Sequence, residues 1–367
     1  MLKITELYID AAVRDFPATR RICRRLDLDS HVIESPDDMY RRITAADSPV
    51  DQGKKILFLT QNRGRFIRQC PGTDYYTCCN YMILHVGTFC TMDCAYCILQ
   101  SYFHPPVLQF FVNHDDMKAA LDQWFAENPQ TRIGTGEYTD SLIWEDIYPL
   151  SEMLISKFSG QNRAVLELKT KTVNIDHLLT LDHNRKTIMA WSLNTFNIVK
   201  SEERRTAGIF ARLAAAAKCQ EKGYPLAFHF DPLVIYPGCE ADYREIIHLL
   251  FSTVAPENIV WISLGSFRFM PDLKPIVEKR FQQSKIVYGE FVKGIDGKMR
   301  YFKPLRIRFY QTIVSCIREY APDVTLYFCM EDDEVWIKSL GFVPQDRGGL
   351  PGMLDAAAKR HCHLAGY

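Results

Sequence analysis

TRIGTGEYTDSLIWEDIYPLSEMLISKFSGQNRAVLELKTK, residues 131–171, reads as one β/α unit. TRIGTG is a short apolar strand running into glycines, YPLSEMLISKF carries apolar residues at helical spacing, and AVLELKTK is again a strand. Outward from this unit the alternation continues. Upstream lies the helix DDMKAALDQWFAEN; downstream follow the short helix NIDHLLTL, the strand IMAWSLN, the helix IFARLAAAAKCQEKG, the strand PLAFHFDPLVI, the helix ADYREIIHLLFSTV and the strand IVWISLGSF. Such alternation predicts a parallel sheet or barrel. About six units do not close eight strands, so the expected fold class is α/β, a partial (β/α)6 TIM-type barrel open on one side. Residues 1–80, with ITELYI, HVIE and KILFLT around the Arg-rich ATRRICRRL, are expected to form a small N-terminal α/β extension. Residues 81–330 would be the barrel, with a basic hairpin-like segment near 286–308, and residues 331–367 a C-terminal tail.

Ahead of the quoted unit, GTFCTMDCAYCILQSYF (87–103) sets Cys90, Cys94 and Cys97 at spacings of three and two residues. A structural zinc site typically takes two short cysteine pairs, and a redox dithiol needs only the inner C-x-x-C. Three close thiolates instead fit an iron–sulfur cluster with one iron left free for a small molecule. A zinc site is the alternative. The start MLKITELYIDAAV shows no apolar export segment, so the twelve cysteines are expected to be reduced and the protein cytoplasmic. Cys70, Cys78 and Cys79 cluster before the motif without an assigned role.

Lys+Arg and Asp+Glu are 44 each, so overall charge announces no nucleic-acid partner, and no apolar run is long enough for a membrane span. Locally, Lys293, Lys298, Arg300, Lys303, Arg306 and Arg308 stand against Asp296, interleaved with Tyr301 and Phe302. That mixture suits a phosphate backbone and stackable bases, or a solvated face. Lys298, Arg300, Tyr301 and Lys303 are therefore candidate substrate contacts.

In barrels of this kind function gathers at the C-terminal ends of the strands. There lie Glu137 after two glycines, Lys171 between Thr170 and Thr172, Ser192 and Asn194, and Asp231. Together they form a candidate socket for a zwitterionic amino acid, with acid for its amine and base and hydroxyl for its carboxylate.

These features resemble the spore photoproduct lyase family of radical S-adenosylmethionine enzymes. The resemblance rests on C-x-x-x-C-x-Y-C-x-L-Q (Cys90 to Gln100) and on the order Arg132 to Asp140. It rests further on Thr170 and Lys171 followed by Asp176 to Leu179, on Ser192 and Asn194, on Gly223 to Leu226 with Pro232, and on Arg268 to Lys279. It implies a 4Fe-4S cluster on Cys90, Cys94 and Cys97, with S-adenosylmethionine on the fourth iron, Lys171 and Ser192 at its carboxylate, and Tyr96 and Thr139 nearby. It also implies a 5'-deoxyadenosyl radical that abstracts hydrogen from a substrate, nucleic acid by family likeness, and an electron donor such as flavodoxin or ferredoxin. A peptide or small-molecule substrate, or a noncatalytic iron–sulfur protein, is the alternative.

Two departures stand out. At the family's spacing from Lys171, the position of its hydrogen-donor cysteine holds Glu137, and the expectation is that Glu137 binds the methionine ammonium instead. The segment that forms a lesion-entering hairpin in the family reads VKGIDGKMRYFKP here. Cys239 and Cys329 are the candidate replacement hydrogen donors.

Overall fold

The computed structural model describes residues 4–73, 75–128 and 131–364. Its strands in chain order are β1 (Glu6–Asp10), β2 (Ser30–Ile33), β3 (Ile56–Thr60), β4 (Ile67–Gln69), β5 (Met82–Leu84), β6 (Gly87–Thr88), β7 (Leu108–Phe111) and β8 (Thr131–Gly134). They continue as β9 (Ala164–Thr170), β10 (Thr187–Ser192), β11 (Leu226–Leu233), β12 (Ile259–Ser266), β13 (Arg268–Phe269), β14 (Phe291–Lys293), β15 (Met299–Tyr301) and β16 (Leu326–Phe328).

The central strands carry the apolar runs AVLEL, IMAW, LAFHF and IVWISLG, and β9 to β12 are almost wholly buried. Continuous rather than alternating apolarity is the mark of parallel strands covered on both faces. They form a curled eight-stranded half-barrel in the order β16-β12-β11-β10-β9-β8-β5-β4, parallel throughout except for β4 against β5. Helices His114–Glu127, Leu150–Ser159, Ile209–Glu221 and Cys239–Thr253 supply the crossovers. NIDHLLTL shrinks to a 3-10 turn at Asp176–Leu178.

A second sheet, β2-β1-β3-β7-β6, takes strands from both sides of residue 80, and β6 and β7 flank the cysteine loop. That loop therefore leaves and re-enters the N-terminal layer. Residues beyond 331 also belong to the body: helices Asp333–Leu340 and Gly349–His361 bury Trp336 and Cys362 completely. β13, β15 and β14 form a small antiparallel sheet, with Val292 opposite Arg300. Among the described residues, no helix is long and apolar enough to cross a membrane.

Candidate cluster and substrate site

The cysteine loop has little regular structure, so side chains must satisfy its backbone carbonyls. Gln100 does this from below, its amide donating to the carbonyls of Cys94 (3.2 Å), Ala95 (3.1 Å) and Cys97 (3.3 Å). Lys54, from the N-terminal layer, donates to the carbonyls of Cys90 (3.0 Å) and Met92 and pairs with Asp93 (3.4 Å). Arg280 also reaches Asp93 (2.9 Å) and Gln100. Burial pushes the Cys94 thiol up to about 12 and raises Cys90 as well, and Cys97 acts on both in the same direction, so the three thiols share one neighbourhood.

Beside them, burial opposes the charge of Lys171, yet Cys94 and Glu203 hold its ammonium above the ordinary lysine range. Its Nζ lies 5.2 Å from the centre of the Tyr96 ring. The Tyr96 hydroxyl donates to Glu203, which pairs with Arg212, the two side chains being 1% and 0% exposed. Arg212 also donates to the carbonyls of Ser192 and Ala207, each at 2.8 Å. The residue-level reading missed Glu203 and Arg212. Thr139 is buried, and its hydroxyl has no partner.

Strand β9 aligns Glu167 and Lys169 on one face, with Lys171 next in the same alternation, because side chains two apart share a side. Glu167 is the floor of this ladder, bonded to His229 (2.8 Å) and Trp261 (3.3 Å). Burial works against its ionisation, but His229 holds its carboxyl below the usual range. Lys169 pairs with Glu137 at 3.3 Å. Asp231 sits in a register shift between Phe230 and Leu233, a bulge of the kind that re-aims a side chain, and faces Arg268 through two 3.4 Å contacts. Arg268 also donates to the Cys329 sulfur at 3.1 Å. Burial, countered in part by Arg268, pushes the Cys329 thiol up to about 12, with Asp231, Glu137 and Lys169 within electrostatic reach. Gly265 makes the bulge possible: a Cβ there would meet the Asp231 carboxylate at 2.6 to 2.7 Å.

Several of the candidate residues have partners within the chain. Glu137 and Asp231, expected at the cosubstrate, have partners of their own in Lys169 and Arg268. Asn194 is 1% exposed and fully engaged, accepting from Thr195 N (2.9 Å) and Tyr243 (2.7 Å) and donating to the Pro232 carbonyl (2.8 Å). Cys239 is a core thiol at the start of helix Cys239–Thr253. Of the basic stretch, Arg300 is sealed against Asp296 (2.6 Å) and over Tyr76, Tyr301 is 3% exposed and its hydroxyl oxygen accepts from Ile235 N (3.2 Å), and Lys303 pairs with Asp332 (2.9 Å) and Glu334 (3.0 Å). Lys298 alone of the four faces the Arg268–Cys329 group, since Arg268 and Cys329 both act on its charge. Burial lowers its pKa.

The family model for spore photoproduct lyase matches residues 73–323, well over half of the chain. The chain belongs to the spore photoproduct lyase family. The spore photoproduct lyase of Bacillus subtilis (strain 168) is 28% identical over 210 residues, 56% of this chain and 61% of that protein. The chain thus aligns with about three fifths of that relative's length. The Clostridium acetobutylicum spore photoproduct lyase is 24% identical over 296 residues, 79% of this chain and 84% of the relative. Among solved structures, a spore photoproduct lyase variant with bound AdoMet and dinucleoside spore photoproduct superposes with a TM-score of 0.77 at 20% identity, covering 90% of this chain and all of that one. At that identity the likeness is one of fold.

Among the described residues, no three His, Cys, Asp or Glu side chains are already set as a metal cage. The donor set still fits the family's cluster: one buried and two partly buried thiols on one pinned loop, a cationic Lys171 beside Cys94, and the unpartnered Thr139 hydroxyl.

Proposed function

We propose that this chain is a radical S-adenosylmethionine enzyme whose substrate comes from nucleic acid. The supporting observation is the triple Cys90, Cys94 and Cys97 on a loop held by Gln100 and Lys54, with Lys171 against Cys94. When bound, a 4Fe-4S cluster and S-adenosylmethionine supply the reductive cleavage that yields a 5'-deoxyadenosyl radical.

The chain's own residues orient and enclose. Lys171 neutralises the methionine carboxylate and Thr139 offers its free hydroxyl, while Glu203 and Arg212 fix Tyr96 and the end of β10. Ser192 lies at that strand end. A low-potential protein such as flavodoxin or ferredoxin supplies the electron. Glu137 cannot return a hydrogen atom, and Cys329, bonded to Arg268 inside the barrel, is the thiol that does so. Hydrogen passes from its sulfur to the substrate carbon radical, leaving a thiyl radical that one electron from the protein donor and one proton from solvent return to the thiol.

Anaerobically reconstituted, reduced protein should release 5'-deoxyadenosine from S-adenosylmethionine. Cys94→Ala should lose the site-differentiated cluster, whereas Cys23→Ala should load iron normally. Full iron content and cosubstrate cleavage in Cys94→Ala would overturn the reading. A split DNA photoproduct that takes deuterium from heavy water only when Cys329 is present would establish the hydrogen return.

A further inference from the structure

We propose that the barrel interior between Lys169, Arg268 and Lys298 binds an anionic group of the substrate, a phosphate or a carboxylate. This deepens the reading above and rests on it for the word substrate. The first support is charge. Lys169, Arg268 and Lys298 face Glu137 and Asp231, and the other acids in reach are held elsewhere: Glu167 by His229 at 2.8 Å, Glu331 by Arg306 at 3.0 Å and Asp296 by Arg300 at 2.6 Å. Lys298 is 3.9 Å from Asp296, and its nearer polar neighbour is the Met330 sulfur at 3.6 Å. A largely buried ammonium with so poor a partner is costly unless a ligand completes it.

The second support is looseness. The interior pairs stand at 3.3 and 3.4 Å and keep part of their surface open, Glu137 being 36% and Asp231 28% exposed. Charge-assisted pairs normally close to about 2.7–2.9 Å. The nearby Arg306–Glu331 pair does close, at 3.0 Å with 4% and 1% exposure. Cations held loosely by internal acids can exchange them for a ligand oxygen; sealed ones cannot.

The third support is steric. The Tyr81 hydroxyl is buried, lies where a Cβ on Gly134 would sit and turns toward Glu167, so it brings one more donor to the edge of the charged interior. The acids would then accept from N–H or O–H groups of the same ligand, with Cys329 beside the anion.

Calorimetry on the reconstituted protein tests this with matched probes: thymidine 5'-monophosphate against thymidine, and orotate against uracil. The anionic member of at least one pair should bind tenfold or more tighter, and which pair discriminates separates phosphate from carboxylate. Lys298→Met should abolish the preference and Lys298→Arg should keep it, with unchanged circular dichroism melts guarding against misfolding. Equal affinities within both pairs, or a preference that survives Lys298→Met, would overturn the proposal even where 5'-deoxyadenosine forms normally. Anion preference without any cosubstrate cleavage would instead overturn the function and leave the site.

Discussion

Glu203 and Arg212 hold opposite charges almost entirely away from water, directly behind Tyr96. Breaking such a pair from one side leaves an uncompensated buried charge, at about 3–5 kcal/mol. Arg212→Met should therefore destabilise the fold by that order in denaturant titrations and, through Tyr96 and Ser192, loosen the cosubstrate end of the barrel. The pH dependence has a definite sign. Burial opposes Glu203 ionisation, but Arg212 and Lys171 hold its folded pKa below the usual carboxylate range. Its contribution is present above the unfolded carboxylate pKa and is lost as pH falls through the lower folded value. Acid unfolding of Glu203→Gln should lack that component, so wild-type and variant stabilities should converge on acidification; curves that stay parallel would refute the assignment. None of this was legible beforehand. SEERR reads as a solvated charge run, and only the chain's return along helix Ile209–Glu221 brings Arg212 beneath Glu203.

Strand β9 shows what an element can and cannot announce. Its two-residue period made Lys171 readable as a strand-end cation, and Lys171 lies against Cys94 and Tyr96. Lys169, one pair of residues deeper, was overlooked because its partner Glu137 comes from a loop after β8. The two lysines should separate experimentally. Lys171→Met should weaken S-adenosylmethionine binding by about 1.5–3 kcal/mol, the worth of a charge-assisted hydrogen bond, with normal iron content. Lys169→Met should leave cosubstrate affinity unchanged and alter substrate binding. Equal losses of cosubstrate affinity in both would show that β9 does not divide cosubstrate from substrate. On β12 the constraint is steric. Gly265→Ala places a Cβ at 2.6 Å from the Asp231 carboxyl carbon, so the bulge or the Arg268 pair must move. Overpacking of this kind costs about 1–3 kcal/mol, read as a lowered denaturation midpoint; an unchanged midpoint would mean that Asp231 is free to swing away.

Across the whole molecule, β/α alternation foretold the half-barrel and the cysteine spacing foretold its reactive mouth, because both are local patterns. The return of the cysteine loop to the N-terminal sheet was not foretold, since β7 joins β3 only in three dimensions. The fate of the basic stretch was hidden for the same reason. In sequence, residues 293–308 look like a phosphate-binding strip; in the fold Arg300, Arg306 and Lys303 are tied to Asp296, Glu331 and Asp332. Lys298 faces the interior, which leaves Lys293 and Arg308 as the exposed cations of that stretch. Salt dependence counts such charges: the logarithm of the duplex-DNA binding constant falls against the logarithm of salt with a slope of about −0.9 per phosphate neutralised. A stretch contributing two exposed cations should therefore add about −2 to that slope, against about −5 if all six basic residues met phosphates. Comparing wild type with a Lys293→Gln, Arg308→Gln double variant by fluorescence anisotropy from low to moderate salt reads this contribution directly. A flattening of about 2 to near zero supports recognition by a bound nucleotide's own chemistry inside the barrel, with little backbone tracking from this strip; a double-variant slope still near about −4 would mean that the internal ion pairs open on DNA.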